Sequence, residues 1–197
     1  MTNSTLLNRR DHLFGKGSTL FYEEPVQLIR GEGVHMYDES GRRYVDLYNN
    51  VPCVGHCHPQ FVETVSRQVN TLNVHSRYLH ESILDYAERL IARHDDSIGS
   101  IIFSCTGTEA NEIALRMARL ATGGRGIICT DATYHGNSVE VSKLTRPKDH
   151  RDDVRSIPFP ETYRNNSTEP QKHFLEELQA VIDSFKKDNI PFAGILV

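Results

Sequence analysis

The chain has 197 residues, 38% of them hydrophobic, with 22 basic against 26 acidic side chains and a net charge of −4. That apolar content can bury one substantial core, and the absence of a basic block argues against nucleic acid as a partner. No apolar run reaches membrane-spanning length, the first ten residues lack the apolar stretch of a secretory signal, and Cys53, Cys57, Cys105 and Cys129 are too sparse for a disulfide framework, so reduced thiols in the cytoplasm are expected.

In chain order, Val26 to Arg30, Val34 to Tyr37 and Arg43 to Leu47 read as short antiparallel strands, with Asp38-Glu39-Ser40-Gly41 as a turn. Pro59 opens a helix carrying Phe61, Val62, Val65 and Val69, and Ile83, Leu84, Ala87, Leu90 and Ile91 mark another. Two strand–helix units are expected around residues 101 to 131. The stretch from Lys143 to Asn166 is polar and broken by Pro147, Pro158 and Pro160, so it reads as a long loop. Thr168-Glu169-Pro170 opens a last helix with Phe174, Leu175, Leu178, Val181, Ile182 and Phe185 on one side. Phe192 to Val197 then reads as a strand for the middle of a parallel sheet, covered on both faces.

The chemistry concentrates where Ile101-Ile102-Phe103-Ser104-Cys105 meets Thr106-Gly107-Thr108 and a helix begins. Thr106 can cap that helix, and Glu109 three residues on completes a capping box. The first amides of a helix lack intrahelical partners and lie at the positive end of its dipole. Gly107, with no Cβ, lets a ligand approach the backbone. Together they suit a phosphate group, although a merely well-capped helix would show the same three residues. Ala110, Ile113, Ala114, Met117 and Ala121 recur at helical spacing and are expected to form the buried face, and Gly123-Gly124 ends the helix. A buried strand, Gly126 to Asp131, follows and leads to Ala132-Thr133-Tyr134-His135-Gly136. Taken singly, Tyr134 could be an ordinary half-buried tyrosine and His135 a loop histidine.

Four ordered motifs change that reading. Cys105-Thr106-Gly107-Thr108-Glu109-Ala110-Asn111-Glu112 with Ala114 to Arg119, Tyr134-His135-Gly136, Gly33 to Asp38 with Gly41-Arg42 and Tyr44-Val45-Asp46, and Gly55-His56-Cys57-His58-Pro59 resemble the class III aminotransferases from about residue 20 onward. The resemblance implies an α/β protein of the PLP-dependent transferase fold type I. It would comprise N-terminal antiparallel strands plus the first part of the large-domain sheet, with helices on both faces and the domain incomplete. Residues 1–58 would form the N-terminal segment and 59–197 part of the PLP-binding domain. The implied cofactor is pyridoxal 5′-phosphate, with Thr106, Gly107 and Thr108 on its phosphate, Tyr134 against its ring and His135 beside it. Asn49 and Val51 would border the substrate pocket. The implied activity is transfer of an amino group from an amine or amino acid to a 2-oxo acid, by a homodimer.

The family's later aspartate and Schiff-base lysine have no counterpart here. Lys16, Lys143, Lys148, Lys172, Lys186 and Lys187 all lie in other contexts, so no catalytic residue is assigned and the chain alone is expected to be an inactive N-terminal piece. Two alternatives remain. Val51 to Pro59 with Arg77-Tyr78-Leu79-His80-Glu81 resembles a subgroup that includes amino-alcohol-phosphate phospho-lyases, and a non-catalytic phosphate-binding association module would share the T-G-T turn. The Cys53-to-His58 cluster reads as a structural turn rather than a metal site, because neighbouring side chains cannot all converge on one tetrahedron.

Overall fold

A computed structural model describes residues 3–15, 17, 20, 22–145, 153–159, 163 and 169–197. The chain divides into two units, Met1–Glu81 and Ser82–Val197.

In the first unit, α1 (Asn3–Phe14) precedes an antiparallel meander of β1 (Leu28–Glu32), β2 (His35–Asp38) and β3 (Arg43–Val45), and α2 (Pro59–Thr71) follows. The β2–β3 turn is built on Asp38. Its Oδ1 accepts from the Ser40 amide at 2.9 Å and the Arg42 amide at 3.0 Å, while Tyr44 donates its hydroxyl to Oδ2 at 2.8 Å. Gly41 supplies the positive φ of 85° that closes the turn. The α1 helix was not foreshadowed by the sequence pattern, since its apolar residues follow no clear helical period.

The second unit contains α3 (Glu81–Ile91), α4 (Gly107–Thr122), β4 (Gly126–Thr130), α5 (Val139–Ser142), β5 (Val154–Ile157), α6 (Pro170–Lys187) and β6 (Phe192–Leu196). Its sheet is parallel with order β5-β4-β6. Strand β4 lies at the centre and is buried along its whole length, as a continuous apolar run predicts. Alternate residues of β4 serve opposite faces. Ile127 and Cys129 join Leu115 of α4, Val141 of α5, Leu144, Val154 and Ala193. Ile128 joins Ile157, Ile190 and Phe185 of α6. Each fully buried side chain of this size contributes about 1.5–3 kcal/mol through removal from water. An ionic cluster ties α5 to its neighbours: Glu140 accepts from Arg119 of α4 at 2.8 Å and from Lys143 at 2.6 Å.

Several expectations need correction. Ile101 to Phe103 forms no strand, because among the described residues no neighbour pairs with it. Within the expected Lys143–Asn166 loop, Val154–Ile157 is a strand, since Val154 and Ile157 are each 1% exposed and the backbone pairs with β4. Pro147, Lys148 and Pro160 of that loop, and Lys16 and Thr168, lie outside the described residues. On α4 the packed side is Leu115 with Asn111, Glu112, Ala118 and Arg119, and of the five expected residues Ile113 alone is half-buried. Ala110, Ala114, Met117 and Ala121 face outward. Small alanines made two stripes equally plausible, and the residue that reaches the core is Leu115. Leu175 likewise lies outside the buried face of α6. The α2 and α3 helices bury no residue, so Phe61, Val69 and Leu84 are exposed in this chain. Strand β6 pairs with β4 on one side, with Ile195 exposed.

Candidate active site

The start of α4 has the geometry that its sequence predicts. Thr106 is the N-cap, in extended conformation, and its Oγ1 accepts from the Glu109 amide at 3.1 Å. Glu109 reaches back to accept from the Cys105 amide at 2.8 Å, one residue earlier than an ideal capping box. By position, the Gly107 and Thr108 amides have no intrahelical acceptor and point out of the helix start. A Cβ added at Gly107 would meet nothing within 4 Å beyond its chain neighbours and its own helix backbone, so the helix start is open beside Gly107. The helix closes at Gly123, with a left-handed φ of 66°.

The loop after β4 lies against this helix start. Asn111 donates its side-chain amide to the His135 carbonyl at 2.8 Å, and the His135 amide donates to Thr145 Oγ1 at 3.1 Å. Gly136, at φ 140°, approaches Thr108 so closely that a Cβ there would fall 2.4 Å from Thr108 Oγ1. Ser138 donates to Glu112 of α4. The loop is therefore held at its carbonyl, its amide and its glycine.

Tyr134 is 66% exposed, with its ring available at the surface. His135 is half-buried, and its Nε2 is buried without a hydrogen-bond partner. Burial lowers its pKa below the ordinary imidazole value, so the ring is neutral near pH 7. A buried polar nitrogen without a partner costs stability unless something else satisfies it. The open helix start, the exposed ring and this orphaned nitrogen fit a phosphorylated aromatic ligand.

In the first unit, Val51 is 89% exposed, and Asn49 is also at the surface. The Asn49 side-chain amide donates to Asp46 Oδ1 at 3.1 Å and lies 3.6 Å from Met36 Sδ. Among the described residues no three His, Cys, Asp or Glu side chains are grouped to hold a metal. Sequence reasoning missed Asn111, Thr145 and Gly136 as the residues that fix the 134–136 loop. Asn111 was visible in the T-G-T-E-A-N-E run and Gly136 after Tyr134-His135, but nothing local marks Thr145, ten residues beyond His135.

The Aminotransferase class-III family profile matches residues 21–197. The chain belongs to that family. It is 34% identical over 173 residues to an alanine--glyoxylate aminotransferase 2-like protein of Drosophila melanogaster, covering 84% of this chain and 35% of the relative. It is 32% identical over 167 residues to ethanolamine-phosphate phospho-lyase homolog 1 of Caenorhabditis elegans, covering 81% of this chain and 36% of the relative. A solved phospholyase from Arthrobacter, in complex with phosphoethanolamine, superposes with a TM-score of 0.87 at 34% identity, over 96% of this chain and 47% of that one. The chain thus spans between a third and a half of the length of these relatives. The class III aminotransferases have the PLP-dependent fold type I, and this chain has part of it, with its antiparallel and parallel sheets. No helix among the described residues is long and apolar enough to cross a membrane.

Proposed function

We propose that the full-length protein is a pyridoxal-phosphate-dependent enzyme that moves an amino group from an amine or amino acid to a 2-oxo acid. The observation that carries this reading is the capped α4 start, open beside Gly107 and flanked by the anchored Tyr134–Gly136 loop. The Gly107 and Thr108 amides would bind the cofactor phosphate at the positive helix end. Thr106 Oγ1 already accepts from Glu109, which leaves its hydroxyl hydrogen to donate to a phosphate oxygen. Tyr134 would lay its ring against the pyridine ring, and His135, neutral and unpartnered at Nε2, would orient it from beside. Bound there, the cofactor supplies the electron sink for carbanion chemistry. Asn49 and Val51 would border the substrate.

No catalytic residue is assigned within these 197 residues. Lys143 is engaged by Glu140 at 2.6 Å, Lys172 by Glu169 at 3.4 Å and Lys186 by Asp183 at 2.8 Å. A charged ammonium held in this way is a poor nucleophile toward an aldehyde. We place the protein in the cytoplasm on the strength of its four free cysteines. We read it as a homodimer, in keeping with the exposed apolar residues of α2 and α4.

A second reading, phospho-lyase action on an amino-alcohol phosphate, is favoured by the 0.87 TM-score and 34% identity to the Arthrobacter phospholyase. Incubation of the full-length protein and cofactor with alanine plus a 2-oxo acid, and separately with phosphoethanolamine, decides between the two. Amino transfer to the oxo acid supports the first reading. Release of ammonia and phosphate without an acceptor supports the second, and neither product above the cofactor-only background overturns both.

A further inference from the structure

The residues just before the G-H-x-H-P motif form a loop, Leu47 to Gly55, whose tip carries Asn49 and Val51. It contains no helix or strand, and Leu47, Tyr48 and Val51 are 93%, 73% and 89% exposed. A loop with so little packing of its own would normally sample many shapes. Here both of its ends are tied to one carboxylate. Asp46 Oδ1 accepts from the Tyr48 amide at 3.0 Å, the Asn49 amide at 2.9 Å and the Asn49 side chain at 3.1 Å. Its other oxygen, Oδ2, lies 2.7 Å from His56 Nε2, on the far side of the loop. The Asp46 side chain is only 5% exposed.

His56 is itself immobilised on the meander. Its amide donates to the Gly33 carbonyl at 2.8 Å and its carbonyl accepts from the Gly33 amide at 2.9 Å. Its ring lies over Gly31, where a Cβ would fall 2.7 Å from His56 Cβ and Cγ. Gly55 holds a φ of 93° and passes Gly33 so closely that a Cβ would come within 3.1 Å of its backbone. Inside the loop, Cys53 and Gly55 donate to the carbonyls of Val51 and Pro52 at 2.9 and 2.7 Å. Hydrogen bonds from the Asn49 amide first, and then from His56 and the Tyr48 amide, hold the Asp46 carboxyl well below the usual carboxylate range, so that both of its oxygens serve as acceptors.

We propose that Asp46 and His56 are positioning residues that clamp the 47–55 loop in its substrate-binding shape. The Asn49 side chain then acts as part of the clamp, while Leu47, Tyr48 and Val51 present the apolar surface that meets the substrate. This rests on the reading that the loop borders the substrate pocket.

The test uses the full-length enzyme loaded with cofactor. Asp46→Asn keeps the size of the side chain but replaces one acceptor oxygen with an NH2 donor, so it can no longer accept from the loop amides and from His56 Nε2 at the same time. His56→Gln shortens the reach to Oδ2. Steady-state kinetics, cofactor affinity, thermal midpoint and hydrogen exchange of the Tyr48 and Asn49 amides are measured for both, with Val51→Ala in the parent enzyme as a control. The clamp predicts faster exchange at both amides and a rise of about tenfold or more in KM for the amino substrate in Asp46→Asn, because small misplacements of binding groups are felt strongly. It predicts kcat and cofactor affinity close to the parent. Exchange unchanged in Asp46→Asn overturns the clamp. So does an unchanged KM when Val51→Ala does alter KM, for then the loop meets substrate without needing the carboxylate. If Val51→Ala leaves KM alone, the pocket-border reading has failed, and the role proposed for Asp46 falls with it even if the exchange result stands.

Discussion

Gly136 and Thr108 are in close contact across the site. A Cβ on Gly136 would lie 2.4 Å from Thr108 Oγ1 and 2.8 Å from its Cβ, and the Gly136 backbone sits at φ 140°. Only glycine permits the loop after β4 to close on the start of α4 in this way. Gly136→Ala in the full-length protein is therefore expected to lose about 1–3 kcal/mol of stability through overpacking and to weaken cofactor binding. Adding Thr108→Ala removes the clashing hydroxyl and methyl, so the double variant should be less destabilised than the sum of the two single changes. Denaturant unfolding of the four proteins measures this, and strict additivity would contradict it.

Tyr134 exposes most of its surface in this chain, so its ring supports little of the core. Tyr134→Ala should leave the unfolding midpoint nearly unchanged while it weakens cofactor binding by about 1–3 kcal/mol through lost stacking and burial. Fluorescence or absorbance titration with the cofactor reads the effect. Loss of folding with cofactor affinity intact would instead make Tyr134 a core residue.

Among the groups that give stability a pH dependence, His135 and Asp38 can each be tested singly. Burial holds His135 below its ordinary pKa near 6.5, so as pH falls through that value the unfolded chain takes up the proton first. Stability is then fully present above the ordinary value and declines below it. His135→Gln should flatten this slope between about pH 7 and 5. Hydrogen bonds from the Ser40 hydroxyl first, and then from Tyr44, hold the Asp38 carboxyl down to about 2 from 3.8. Its contribution is present above the ordinary value and is lost as pH falls toward about 2. Asp38→Asn should remove this part of the acid limb and leave the part that comes from Asp46. Urea midpoints across pH for the parent and the two variants check both signs.

The elements that were legible in the sequence are those with a strong local signal. The Thr106 cap, the Gly123 stop, the apolar Ile127–Cys129 run of β4 and the Pro59 and Pro170 helix starts each follow from their own residues. What escaped depends on distant partners. Ile101 to Phe103 is as apolar as a strand but finds no paired neighbour among the described residues, while Val154 to Ile157, inside a polar stretch, pairs with β4. On α4 the pattern of alanines concealed which stripe faces the sheet until Leu115 was seen in the core. In the candidate site, the residues proposed to face the cofactor all stand in the T-G-T and Tyr-His-Gly motifs. The anchors Asn111 and Thr145, and the Asp46–His56 pair, could not be read in this way, because each acts across a gap in sequence that only the fold closes.

A phosphate held at the start of α4 would make the protein distinguish pyridoxal phosphate from pyridoxal, which lacks that group. Both are titrated into the full-length protein and into its Gly107→Val variant. A Cβ at 107 meets nothing within 4 Å beyond its chain neighbours and its own helix backbone, so the fold should survive while a branched side chain crowds the approach to the Gly107 and Thr108 amides. The parent should prefer the phosphorylated form by on the order of a hundredfold, since two hydrogen bonds to a charged group are together worth about 3 kcal/mol or more. In Gly107→Val that preference should collapse, with the thermal midpoint of the cofactor-free protein unchanged. Equal affinity of the parent for both compounds, or an undiminished preference in the variant, would contradict the assignment.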